Sequence, residues 1–301
     1  HTAQHNDVLE LQLPSKLLQL SGQEMCPERD FKVIRGGFSE RPIHCLKYIP
    51  EHRSRFPKHF NSGINEGTLK LCECNFCLIA SSFETNEQSK KISPILEFSS
   101  SGSGWIPSLP FSGSKHGNTP LADLTFLDRH SFLTCTSNGD LYRLDTRVPP
   151  ESLEPADSST TDLKDAVRGV AVSATQVARL SASGTFHLFD IRELQSPVGT
   201  AGVMPSTPAL ESDLCVAWAP HLPGYIAMSG FESIVQIYDT STWNSIPRQA
   251  LPVFTHEGHA PGKTHPQHPR VSALAWHPLK ARTVFSADEY GTLQAWNWVP
   301  D

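Results

Sequence analysis

The second half of the chain repeats one short pattern four times. A turn residue is followed by an alternating apolar run, and six residues after the turn stands an acid or its amide. The copies run Gly139 to Asp145, Gly184 to Asp190, Ser233 to Asp239 and Gly291 to Asn297, and Gly67 to Glu73 keeps the spacing nearer the N-terminus. Between successive terminal residues the period is 45, 49 and 58 residues. A unit this small cannot bury an apolar face alone, so neighbouring units must stack on one another.

Each copy carries two upstream apolar runs. The first set is 124–127, 169–172, 215–218 and 273–276; the second is 132–135, 177–180, 225–228 and 283–286. Alternation in steps of two marks strands. Three strands per unit, room for a fourth outer strand, and a period of about 40–50 residues specify an all-β β-propeller. The 301 residues accommodate seven blades of about 43 residues, or six. Five copies are recognisable, so some blades are degenerate or incomplete. We expect a single propeller domain over 1–301, with irregular segments near 51–65, 99–118, 149–165, 195–212 and 256–270.

Composition agrees. Charged residues are only 19%, and many of the 24 prolines fall between the repeats. The net charge of −6 argues against nucleic acid as the main ligand, because phosphate binding needs a concentrated basic face. No stretch approaches 18 consecutive apolar residues, so no helical membrane span is expected. The seven cysteines are odd in number and mostly isolated, unlike a secreted disulfide framework. The chain opens at His1 with no signal-peptide core. A cytoplasmic and nuclear protein is expected, with its natural N-terminus upstream.

These residues resemble WD repeats. Asp145, Asp190 and Asp239 take the family's Asp position, Trp296 keeps the Trp, and Gly258-His259 matches the Gly-His signature 37 residues before Trp296. Gly139, Gly184 and Gly291 occupy the preceding turn. Leu144, Phe189 and Tyr238 replace Trp, and Asn297 replaces Asp. The family's buried tight-turn Asp falls on Asn138, Ser183, Glu232 and Tyr290, which implies an incomplete hydrogen-bonded network in every blade. Packing of aromatic side chains must then hold the blades together. The resemblance implies a fold; it does not by itself imply a function.

Other segments are not generic to propellers. They include residues 27–33, Gly36-Gly37-Phe38-Ser39, residues 216–220, Ser229-Gly230-Phe231, Ser241-Thr242-Trp243, Phe254-Thr255-His256 and Trp296-Asn297-Trp298. They resemble a narrower group of WD-repeat proteins, densely over 7–50 and 213–299, loosely over 120–195, and not between about 51 and 117. That resemblance implies protein partners. Members of the group associate with the Integrator complex through its cleavage heterodimer, a pair of metallo-β-lactamase-fold subunits, and are linked to spindle poles, tubulin and microtubules. It further implies a noncatalytic scaffold, monomeric on its own, without strong direct nucleic-acid or membrane binding.

Chemistry-bearing clusters are few. Cys72-x-Cys74-x-x-Cys77 lacks a fourth ligand for zinc. His256, His259, His265, His268 and His277 sit among prolines that suit an extended loop, so no metal is expected there. Adjacent acids such as Glu28/Asp30 and Asp288/Glu289 are expected to be solvated. No nucleophile elbow, phosphate loop, zinc-protease signature or dinucleotide fingerprint occurs, and no catalytic or cofactor-binding residue is expected. The acid-rich stretch 151–165 reads as a disordered connection. The candidate interaction segment is Pro27 to Ser39, between strands, with Arg29 and Asp30 exposed beside Phe31 and Phe38. Two other functions would fit a propeller: a reader of modified peptides on its top face, or a metal-dependent hydrolase at its axis.

Overall fold

The computed structural model describes residues 6–13, 30–39, 46–49, 70–72, 77–80, 95–96, 109–110, 121–128, 131–136, 139–145, 167–203, 214–231, 233–259, 261 and 268–299. All of its named elements are strands. They group into two compact units, the first drawn mainly from residues up to Pro120 and the second mainly from Leu133 onward.

In the first unit, β1 (Asn6–Gln12) pairs antiparallel with β2 (Lys32–Ser39), with a bulge between Glu10 and Leu11. Strands β3 (Leu46–Ile49), β4 (Lys70–Cys72) and β5 (Cys77–Ala80) form a sheet of order β3-β5-β4. A short pair, β6 (Ile95–Leu96) and β7 (Leu109–Pro110), completes it. One expectation is corrected here. Residues 32–39 form a strand and not a connection, because Val33 and Ile34 favour extended backbone and the ladder to β1 runs through Gly36 and Gly37. Leu109–Pro110 lies within the segment expected to be irregular. The expected irregular segments 51–65 and 149–165 lie outside the described residues.

The second unit is a series of antiparallel sheets. Its first is β8 (Leu121–Phe126), β9 (Ser131–Thr136) and β10 (Leu141–Asp145). The second is β11 (Val167–Val172), β12 (Gln176–Ser181), β13 (Thr185–Asp190) and β14 (Gly199–Gly202). The third begins β15 (Cys215–Trp218), β16 (Tyr225–Ser229) and β17 (Val235–Asp239). From there the chain crosses back: β18 (Arg248–Gln249) pairs parallel with β14 before β19 (Phe254–His256) returns to the edge of β17. The fourth sheet is β20 (Val271–Trp276), β21 (Thr283–Asp288) and β22 (Leu293–Asn297).

The expected loop 195–212 therefore contains β14. Gly and Ala disguise it as a linker, but small residues let Trp243, carried on the crossing segment, sit against Gly199 and Phe186.

Alternation explains the packing. On β16, Ile226 and Met228 join Ala178 and Leu180 of β12 and Phe186 and Leu188 of β13 in a core between the second and third sheets. Their neighbour Ala227, with Val235 and Ile237, faces the other way, against Val271, Trp276, Val284 and Trp298. Strands buried on both faces need few charges, and each fully buried Leu, Ile or Phe contributes about 1.5–3 kcal/mol.

The stack is also stitched by hydrogen bonds. Trp218 Nε1 donates to Ala171 O at 3.2 Å, and Trp276 Nε1 donates to Ala217 O at 3.0 Å. Each indole thus reaches from the first strand of its own sheet to the first strand of the preceding one. Fully buried Arg179 on β12 donates to Gly139 O of the first sheet and lies over the Phe189 ring.

Candidate functional site: the fourth sheet and its turns

The turn after β21 is built by Asp288. Its Oδ1 accepts the amides of Tyr290 at 3.0 Å and Thr292 at 2.9 Å, while Gly291 adopts φ 86°. Its Oδ2 lies 2.9 Å from Nδ1 of buried His259. Burial pushes the Asp288 carboxyl up, but hydrogen bonds from His259, Thr292 and Tyr290 outweigh it and hold it below the usual range. As an ionised acceptor, it requires the His259 proton on Nδ1. Nε2 then accepts from Ser286 Oγ at 2.8 Å, and Ser286 Oγ in turn accepts Trp296 Nε1 at 3.0 Å. Every donor in this buried chain has one acceptor.

This overturns two expectations. The turn acid is Asp288 and not Tyr290, and in this sheet the network is complete. Asp288 is buried, not solvated. The residue that closes a turn on amides two and four positions ahead must stand before it, so Ser286-x-Asp288 upstream of Gly291 was the signal. In the second sheet Ser181 holds the corresponding place, accepting the Thr185 amide at 3.0 Å.

The Gly-His segment joins the third sheet to the fourth. His256, at the end of β19, stacks on Trp296 with centroids 4.2 Å apart, and its Nε2 donates to Gln294 Oε1 at 2.8 Å. The Gln294 amide nitrogen donates to Gly258 O at 2.8 Å. A Cβ on Gly258 would overlap both Gln294 and the His256 ring.

Both ring nitrogens of His259 are engaged by protein groups. His277 Nδ1 accepts the amides of Leu279 at 2.9 Å and Lys280 at 3.0 Å. Among the described residues no group of three or more His, Cys, Asp or Glu is placed to hold a metal. His265 and Cys74 lie outside the described residues.

The other repeat residues lie at turns and strand ends. Gly139 and Gly184 are turn residues with φ 94° and 87°. Asp190 ends β13, accepts the Arg192 amide and pairs with its guanidinium at 2.6 Å, which holds the Asp190 carboxyl down to about 2. Asp239 ends β17 and accepts the Ser241 amide. Asp145 ends β10. Of the candidate interaction segment, Asp30 is exposed and Phe31 half-buried. Phe38 lies on β2, and Arg29 is outside the described residues.

No protein-family model matches the chain. The zebrafish (Danio rerio) Integrator complex assembly factor WDR73 is 31% identical over 332 residues, spanning 99% of this chain and 86% of that protein. The chain belongs to the WDR73 family. The WDR73 proteins of Mus musculus and Homo sapiens are each 30% identical, over 98% of this chain and 86% of their own length. A chain in the crystal structure of the mitotic checkpoint complex is similar at 18% identity and a TM-score of 0.45, over 68% of this chain and 59% of that one. For this WDR73-family chain the fold class is an all-β WD-repeat propeller, in agreement with the repeat spacing and the successive antiparallel sheets of three to five strands.

Proposed function

We propose that this chain is a noncatalytic interaction scaffold that binds the Integrator cleavage heterodimer and supports its assembly. The carrying observation is the similarity, over nearly the whole chain, to WDR73 proteins named as Integrator complex assembly factors. The stacked sheets suit a scaffold, since turns from successive sheets are fixed to a buried frame and a partner meets a surface that costs little to order. The net charge of −6 supports protein rather than RNA as the principal partner. The chain would act as a monomer in the cytoplasm and nucleus, with a further association with microtubules at the spindle pole. Affinity purification of the tagged chain from cell extract, read by mass spectrometry, tests the partner. Recovery of both cleavage subunits is the expected result; their absence from the eluate rejects this function.

A further inference from the structure

The geometry points to the turn between β20 and β21 as a docking site for an acidic, leucine-bearing segment of the partner protein, an assignment that rests on the function proposed above. Leu279 at the tip of this turn is 83% exposed, and Val299, beyond the end of β22, is 68% exposed. Lys280 and Arg282 follow the tip, both exposed, and among the described residues neither forms an ion pair with a carboxylate. The equivalent turns of the second and third sheets, residues 173–175 and 219–224, carry no Lys or Arg.

A second difference reinforces the first. The acid that ends the third strand in the other sheets (Asp145, Asp190, Asp239) is Asn297 in the fourth, where its Oδ1 accepts Thr283 Oγ1 at 2.6 Å. The fourth sheet therefore lacks that local carboxylate where it carries two added cations, on a chain that is acidic overall.

The turn is also held in shape. His277 caps its first amides, and His221 of the neighbouring turn lies 2.6 Å from Pro278 O. Arg282 adopts φ 67°, uncommon for a side-chain-bearing residue, and its guanidinium lies over the Trp298 ring at 5.5 Å. A fixed apolar knob followed by two cations matches a segment in which leucine-type side chains adjoin Asp or Glu. A bare phosphate backbone would leave Leu279 uncovered.

The test is a titration of purified Integrator cleavage heterodimer against the full chain and its variants, by calorimetry. Leu279→Ser and Lys280→Glu are each expected to weaken binding by about tenfold or more, with melting temperatures unchanged. Glu257→Lys, exposed at the opposite end of the sheet, should bind like the wild type. Unaltered affinity in both turn variants overturns the assignment and leaves the proposed function standing. Failure of the wild-type chain to bind rejects the function and the assignment with it. A single-stranded RNA probe that binds the wild type, is lost with Lys280→Glu and is indifferent to Leu279→Ser would also overturn the assignment.

Discussion

His259 Nδ1 and Asp288 Oδ2 lie 2.9 Å apart with both side chains buried, and this pair fastens the connection from the third sheet into the fourth. Asp288 also accepts two turn amides, so one carboxylate serves a loop, a turn and a strand together. Replacing it strands several buried donors. Asp288→Ala is expected to lower stability by about 2–4 kcal/mol, and Asp288→Asn by less, because the amide keeps one acceptor oxygen. Urea unfolding followed by tryptophan fluorescence checks both; equal, negligible losses would contradict the network.

Two glycines should fail for different reasons. Gly258 meets Gln294 and His256 at any added Cβ, whereas Gly291 has open space around it but a φ of 86°. Gly291→Asn is expected to be tolerated better than Gly291→Ala, since Asn enters the left-handed region more readily. At Gly258 both substitutions overpack and should each cost about 1–3 kcal/mol. The four melting temperatures decide it.

The indole hydrogen bonds between successive sheets are also separable from their packing. Trp218→Phe and Trp276→Phe retain an aromatic ring but remove the donors to Ala171 O and Ala217 O. Each is expected to cost about 1–3 kcal/mol, including the carbonyl left without its donor. Since the Trp276 acceptor is the carbonyl of Ala217, the residue next to Trp218 on β15, the two sites share backbone and the double variant should depart from additivity in urea unfolding.

Stability should fall on acidification before the carboxylates titrate. Burial, aided by Arg179, lowers His187 to about 4, and burial lowers His256 as well. Both are held neutral in the fold, so the unfolded chain takes up protons first. Their contribution is complete above the ordinary histidine value of about 6.5 and is lost as pH falls through the folded values, near 4 for His187. Urea midpoints at neutral pH and at mildly acidic pH should differ, and His187→Gln should flatten that dependence. A midpoint that rises on acidification contradicts the sign.

The blades were legible because period-two alternation and a fixed six-residue spacing survive even where the signature residues do not. Phe189 and Tyr238 stand in for Trp and keep the strand ends, each fully buried. Asp288 was misplaced because spacing from Gly291 alone does not reveal which upstream side chain reaches the turn amides; that depends on a carboxylate facing back over the turn. β14 was hidden because Gly199-Thr200-Ala201-Gly202 owes its strand conformation to the ladder from β13 and to Trp243, which arrives some forty residues later in the chain. The exposure of Leu279 was likewise invisible, as nothing in His277-Pro278-Leu279-Lys280 separates a buried leucine from an exposed one.

A scaffold for the Integrator cleavage module must hold both cleavage subunits without depending on their chemistry. Size-exclusion chromatography of purified cleavage heterodimer mixed with the full chain tests this most directly. Co-elution of all three polypeptides in one earlier peak, retained when the heterodimer's active-site ligands are substituted, is the predicted result. Separate elution of chain and heterodimer across the accessible concentration range would contradict it.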